Sequence, residues 1–317
     1  MNKNRKTNRN KRTIRGTKKV AGKRMKAGKK TMKCSPIVKG QTAINDSCFT
    51  IPVLHKLKIS YNKHHPTDKI MENEPKDIWL QLKNRLSKCH KEDCWLNVIE
   101  DHDEREKLDD YLFAPDSPDE WKKDPNSWLS NYDIFDVLHQ YEIKYNNFRI
   151  IGPTPIDFDS KINDKHCVWQ DLCEFSLDKF MESGKRKLGV VFNLSKSKDP
   201  GSHWVSLYMD LEDKFLFFFD SAGDKIPNEI RRLVDRIQEQ AMKIFAKKLD
   251  YFDNYGIEHQ MGNTECGMYS LYFIITMLTG EIEEKGFSNY KEKIDFFMKK
   301  RIPDQYVSKY RKIYFNS

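Results

Sequence analysis

The stretch ECGMYSLYFIITMLTG, residues 265–280, predicts a helix that is apolar on nearly every face. A helix of that kind is buried, so we expect it at the centre of the fold, with Gly280 as its C-terminal cap. Cys266 falls in the first turn, where the helix macrodipole and the free backbone N–H groups favour a thiolate. A cysteine is also a common small core residue, so a catalytic interpretation requires a base beside it.

A predicted hairpin upstream supplies that base. The stretches GSHWVSLYMD (201–210) and KFLFFFDSAG (214–223) read as two strands joined by a short polar turn. His203 enters the first strand and Asp220 leaves the second, so an antiparallel pairing brings the carboxylate beside the imidazole. A carboxylate there would fix the tautomer and stabilise the imidazolium, although a histidine on a strand is often only a satisfied side chain.

Gln260 lies six residues before Cys266, on the segment that enters the helix. Its amide could donate a hydrogen bond to an oxyanion, with the backbone N–H of Cys266 as the second donor. The alternative is an ordinary loop glutamine. His259 is a second candidate base, but no aspartate is placed to orient it, and we prefer His203.

The order of predicted elements is typical of an α+β protein. Residues 34–125 predict a small, mostly helical module, and a Pro-, Asp- and Ser-rich stretch over 114–128 marks a boundary before a catalytic domain over 126–317. Two helices are predicted in this module because apolar residues recur at helical spacing. The first contains Leu54, Leu57 and Tyr61, and the second contains Ile78, Leu82 and Leu86. In the second half apolar spacing predicts helices over 131–145 and 228–249 and a strand over 187–195.

Charge divides the chain unevenly. The net charge is +9, yet residues 1–33 hold 15 Lys or Arg and no Asp or Glu, which leaves 41 basic against 47 acidic residues in the rest. We expect this tail to be disordered and to contact nucleic acid or act as a nuclear import signal, the alternative being a solvated extension. No apolar run is long enough for a membrane span, and the tail lacks the apolar core of a secretory signal.

Seven scattered cysteines favour free thiols and a reducing compartment. Cys89, His90 and Cys94 lack the second ligand pair of a zinc site, so no metal and no cofactor are predicted.

Together these motifs resemble the ubiquitin-like protein protease family, the clan that includes adenovirus protease. The shared pattern is His203-Trp204, then Asp220-Ser-Ala-Gly, then Gln260-x5-Cys266-Gly, and WLSNYDIFDVLHQYE (128–142) resembles the motif that opens that family's catalytic domain. The resemblance covers residues 126–317 and departs at Glu265, where the family usually has aspartate. It implies an adenain-like, papain-like core in which helices flank a central mixed sheet and the nucleophile starts a buried helix.

The same resemblance implies roles for two tryptophans. In the family, the equivalents of Trp128 and Trp204 wall a narrow tunnel that admits only glycine-like residues, so the substrate would be a protein with a Gly-Gly-X motif. Within the family, the chain is similar to the polyprotein-processing proteases of African swine fever virus and giant viruses. That implies cleavage of structural precursors during virion maturation, in the virion and host cytoplasm, with the nucleus as the alternative.

Three other functions stay open. The same chemistry would serve an isopeptidase that removes ubiquitin or SUMO from host proteins, and related folds use the triad to transfer acetyl groups. The basic tail would also suit a DNA-binding particle protein with a vestigial site, although the complete set of catalytic residue types argues against it.

Overall fold

The computed structural model describes residues 32–162, 166–282 and 285–316. In chain order, the helices and strands within these ranges are α1 (Ile51–His64), α2 (Pro75–Arg85), α3 (His102–Leu112), α4 (Asn131–Lys144), β1 (Phe148–Pro155), α5 (Gln170–Cys173), α6 (Leu177–Glu182), β2 (Lys187–Asn193), β3 (Trp204–Asp210), β4 (Phe215–Phe219), α7 (Asn228–Phe245), β5 (Asp250–Asp253), α8 (Cys266–Thr279), β6 (Glu281–Ile282), β7 (Lys285–Gly286), α9 (Tyr290–Lys299), α10 (Asp304–Ser308) and α11 (Arg311–Tyr314). None of the helices in these ranges is both long enough and apolar enough to span a bilayer.

A five-stranded mixed sheet, in the order β1-β2-β3-β4-β5, forms the centre. The middle strands β2, β3 and β4 are antiparallel, and Ser206 lies opposite Phe219 in the predicted hairpin. The outer strands β1 and β5 are parallel to their neighbours. A mixed sheet flanked by helices confirms the predicted α+β class.

Both faces of the sheet are covered. Phe217 and Phe219 point into the cluster that contains α8, whereas Leu216 and Phe218 point into the cluster that contains α7. Strands buried on both faces read as continuous apolar runs, which explains FLFFF over 215–219. The sheet therefore holds the start of α8 beside the ends of β3 and β4.

The predicted buried helix is confirmed. Every residue of α8 from Cys266 to Leu278 is buried, and Gly280 ends the helix in the left-handed conformation with φ 69°. Helix α4 begins with a capping box between Ser130 and Asp133, which fixes where the chain turns from Trp128 into the helix.

The N-terminal part has its own hydrophobic cluster, drawn from residues 32–113. Its centre is Phe49, stacked on Trp95 with 5.6 Å between ring centroids. Asn316 fastens this part to the end of the chain, because its side chain accepts from the Lys33 N–H at 2.6 Å and donates to the Ala114 carbonyl at 2.7 Å. The boundaries 34–125 and 126–317 remain predictions, and most of the basic tail, residues 1–31, lies outside the described residues.

The prediction of free thiols is wrong for six of the seven cysteines. Disulfide bonds join Cys34 to Cys48, Cys89 to Cys94 and Cys167 to Cys173, with Cα–Cα distances of 5.1, 5.5 and 6.3 Å. Pairing depends on these distances, which the fold sets and sequence spacing does not reveal. Paired cysteines are typical of oxidising environments, so the argument for a reducing compartment loses its basis.

Candidate active site

Cys266 opens helix α8 and is the one cysteine without a disulfide. It is buried, with 2% of its surface exposed. The following Gly267 allows close packing, because a Cβ there would lie 3.1 Å from Leu129 Cβ and 3.3 Å from Trp204 Cδ1. The thiol therefore lies at the N-terminal, positive end of the macrodipole of a buried helix.

The hairpin brings His203 and Asp220 together, as the sequence predicted. The distance from His203 Nε2 to Asp220 Oδ1 is 2.6 Å, and the carboxylate is almost fully buried. Because Nε2 is engaged by Asp220, Nδ1 is the ring nitrogen left to face the Cys266 thiol, which lies close enough to raise the pKa of this imidazole. Thiol, imidazole and carboxylate thus form one connected row.

The charges of this row favour a protonated ring. Burial of His203 disfavours the imidazolium, but the hydrogen bond to Asp220 and the charges of Asp220 and the nearby Cys266 outweigh it and raise the pKa of His203 from 6.5 to about 10. A histidine that keeps its proton at neutral pH beside a thiol is the partner a thiolate needs.

Asp220 is held rigidly by backbone contacts. Its Oδ1 accepts from the Ala222 N–H at 2.9 Å, and the side chain of Asn254 pairs with the Asp220 backbone at 2.9 and 2.6 Å. Gly223 has φ +74°, and a Cβ there would lie 2.7 Å from the Ile257 carbonyl carbon. The turn after β4 therefore aims the carboxylate, and it requires a glycine to do so.

Gln260 is buried, and both ends of its amide are engaged. Oε1 accepts from the Ser221 hydroxyl at 2.8 Å, and Nε2 donates to the Gly262 carbonyl at 2.8 Å. An amide has two N–H donors, so one remains available after the bond to Gly262. Ser221 fixes which way the amide faces, a role that the sequence suggested only through its position next to Asp220.

The two tryptophans line one cleft. Trp128 is 44% exposed, whereas Trp204 is buried and its Nε1 donates to the Leu129 carbonyl at 3.1 Å. Both border a cleft of about 600 Å³ whose other walls include Pro153, Asn193 and Trp169. Cys266 and His203 do not line this cleft, which adjoins the Cys266 helix through Trp204, the neighbour of Gly267.

His259 is a structural histidine. Its Nε2 donates to the Phe297 carbonyl at 2.9 Å and its Nδ1 accepts from the Ile302 N–H at 3.0 Å, so both nitrogens are occupied. Burial, its largest influence, lowers the pKa of His259 to about 4 and keeps the ring neutral. The preference for His203 as the base agrees with this environment.

Other residues that shape the site were not identified from the sequence. Asn254 orients the turn of Asp220, and two residues near the C-terminus, Asp304 and Arg311, contact the segment between Gln260 and Cys266. Each contact joins residues more than 30 positions apart, so no local pattern marks it.

A thiol at a helix start, an imidazole near it and a buried carboxylate behind the ring define the class of cysteine hydrolases. Comparison with known proteins agrees. The model of the Ulp1 protease family, C-terminal catalytic domain, matches residues 190–310, which contain His203, Asp220, Gln260 and Cys266. Residues 190–310 therefore resemble the catalytic domain of that family, and the chain is a cysteine peptidase.

Its relatives include viral proteases. A thiol protease of Acanthamoeba polyphaga mimivirus is 28% identical over 263 residues, covering 77% of this chain and 84% of the relative. A cysteine protease of African swine fever virus is 28% identical over 193 residues, covering 58% of this chain and 66% of the relative. The crystal structure of an African swine fever virus protease shares the fold, with a TM-score of 0.60 at 21% identity over 91% of this chain and 97% of that chain.

Proposed function

We propose that this peptidase cleaves viral structural precursors after Gly-Gly-type sites during virion maturation, with Cys266 as nucleophile and His203 as its base. The row of side chains from Cys266 through His203 to Asp220, beside the indole of Trp204 that borders the cleft, carries the proposal. The viral relatives support a place in the virion and host cytoplasm, with the nucleus as the alternative.

The chemistry follows from the groups in contact. In the reactive ion pair the Cys266 proton resides on His203, and the thiolate attacks the carbonyl carbon of the scissile peptide. The oxyanion is stabilised by the Gln260 amide and the Cys266 backbone N–H, which as the first residue of α8 has no partner within the helix. The imidazolium then protonates the leaving amine, and a water molecule activated by the same ring hydrolyses the thioester and regenerates the thiol.

The preference for glycine rests on Trp128 and Trp204. Trp204 is anchored by its bond to Leu129 and packs against Gly267, so it cannot retreat from the cleft without disturbing the nucleophile's turn. A side chain between two indoles would have to displace one of them, whereas glycine requires no such movement. Residues 1–33 would add a nucleic-acid contact that keeps the enzyme near packaged genome.

A deconjugating isopeptidase is the second candidate. One relative is named a SUMO-1 cysteine protease, from an African swine fever virus isolate, and is 30% identical over 157 residues, covering 46% of this chain and 56% of the relative. The same cleft would accept the Gly-Gly tail of such a modifier. The acyltransferase and vestigial-site alternatives have no comparable support.

A substrate panel separates the two candidates. The full-length protein is incubated with peptides containing Gly-Gly-X, with matched peptides in which either glycine is alanine, and with ubiquitin and SUMO fluorogenic C-terminal amides. We expect kcat/KM for Gly-Gly-X to exceed that of each alanine-containing peptide by at least about tenfold, since the clash adds to the cost of one methyl group. A modifier substrate that is turned over faster than every free peptide would favour the isopeptidase, and equal rates for alanine and glycine would reject the tunnel.

Removing one wall should weaken the selection. We expect Trp128→Ala to lower kcat/KM for Gly-Gly-X peptides by roughly 10²-fold, because the scissile bond loses its positioning surface. The discrimination against alanine should fall at the same time, and Trp128→Phe should retain part of both. Met242→Ala is the matched control, since Met242 is equally exposed at 44% but lies on α7. A Trp128→Ala enzyme that keeps full glycine selectivity would contradict the assignment.

A further inference from the structure

The end of the chain holds the loop between Gln260 and Cys266 at two points. The first is Asp304, the first residue of α10. Its carboxylate accepts from the N–H groups of Met261 at 3.1 Å and Gly262 at 2.9 Å. It also accepts from the Tyr269 hydroxyl of α8 at 2.9 Å, so one side chain joins the loop to the nucleophile's own helix.

The second point is Arg311, which pairs with Glu265, the residue before the nucleophile. The pair is bidentate, at 3.1 Å from Nε to Oε2 and 2.9 Å from Nη2 to Oε1, and both side chains are buried. The guanidinium also donates to the Ser127 carbonyl at 3.0 Å and lies over the Trp121 ring, 4.4 Å from its centroid. A planar guanidinium makes all of these contacts at once, which a lysine cannot do.

These contacts reach both proposed oxyanion donors. The Asp304 carboxylate accepts from the backbone N–H of Gly262, and the carbonyl of Gly262 accepts a hydrogen bond from the Gln260 side-chain amide. Arg311 holds Glu265, whose neighbour Cys266 supplies the backbone N–H. The segment that contains Asp304 and Arg311 therefore holds the backbone next to each of the two donors.

We propose that Asp304 and Arg311 form a clamp that positions the oxyanion donors for catalysis, without either residue touching the substrate. The proposal rests on the proposed roles of Gln260 and Cys266. It assigns a kinetic function to the buried Arg311–Glu265 pair, whose Glu265 stands where the family usually has aspartate. It also separates two steps that a general loss of stability would affect together. Thioester formation requires the oxyanion donors, whereas alkylation of the thiolate by iodoacetamide creates no oxyanion.

The test measures both steps in full-length Asp304→Asn and Arg311→Lys. Asparagine loses one acceptor oxygen, and lysine keeps the charge but not the bidentate geometry. We expect kcat for a Gly-Gly-X peptide to fall by roughly 10- to 100-fold with KM changed less than about threefold, because the donors are displaced rather than removed. The iodoacetamide rate at Cys266 should stay within about threefold of wild type. Gln260→Ala sets the reference, with the same separation of effects and a loss of about 10²–10³-fold in kcat.

Asp68→Asn and Arg85→Lys are the matched controls, since they alter an Asp–Arg pair in the N-terminal part and should leave kcat unchanged. Unchanged kcat in both folded clamp variants, or equal losses of hydrolysis and alkylation, would overturn the clamp. If either variant fails to fold, Asp304→Glu, which keeps the charge on a longer side chain, carries the same prediction. A wild-type enzyme that cleaves none of the peptides would instead count against the proposed function.

Discussion

Cys266→Ala is expected to abolish peptide hydrolysis, with a loss of roughly 10⁴- to 10⁶-fold in kcat. The sulfur is the group that forms the thioester, and no other described cysteine is free to replace it. The fold should survive, because the change removes one atom at the first turn of a helix that is packed along its whole length. Hydrolysis of a Gly-Gly-X peptide and a thermal melt of the same preparation measure both quantities.

Ser270→Ala is the control for that experiment. Ser270 lies one turn further along α8, is equally buried, and its hydroxyl has no hydrogen-bond partner in the part of the chain that the structure describes. Its loss should leave hydrolysis unchanged. Full activity in Cys266→Ala would remove the proposed mechanism altogether.

His203→Ala should lower kcat by a similar factor, and Asp220→Asn should lower it by about 10⁴-fold, because an amide stabilises the wrong tautomer of the ring.

Asp220→Asn should also change the pH dependence of kcat/KM. The carboxylate raises the pKa of His203, so its removal should return that pKa toward 6.5 from about 10. A thiolate paired with a protonated ring is lost as the ring deprotonates, so the alkaline limb of kcat/KM should move to lower pH in Asp220→Asn.

A pH profile of kcat/KM for wild type and Asp220→Asn measures that shift. Asp224→Asn is the control, because Asp224 is exposed on the same turn and should leave the profile in place. An alkaline limb that stays where the wild type has it, or moves upward, would show that Asp220 does not set the charge of the ring.

The fold was predictable from the sequence wherever a helix or strand is buried on both sides, because it then forms a continuous apolar run. Helix α8 and strands β2 to β4 are apolar on both faces because protein covers them on both sides, and the amino-acid sequence alone shows that pattern. Strand β1 was missed because Gly152 and Pro153 interrupt its apolar run, and β5 because it is four half-exposed residues at the edge of the sheet.

The site divides in the same way. His203 and Asp220 could be paired in advance because a hairpin relates its two strands by a simple register, and Cys266 because a helix start is local. Cys266 lies near His203 because α8 packs against β3. The spacing of residues along the sequence does not predict that packing.

By itself, the sequence determined the buried helix, the hairpin and the four candidate catalytic residues, because each can be recognised from residues that are close together in the sequence. Only the tertiary structure decided the three disulfides, the turn held by Asn254 and the clamp of Asp304 and Arg311. These contacts join segments whose separation along the chain says nothing about their distance in space. That distance is set by how the helices and the sheet pack.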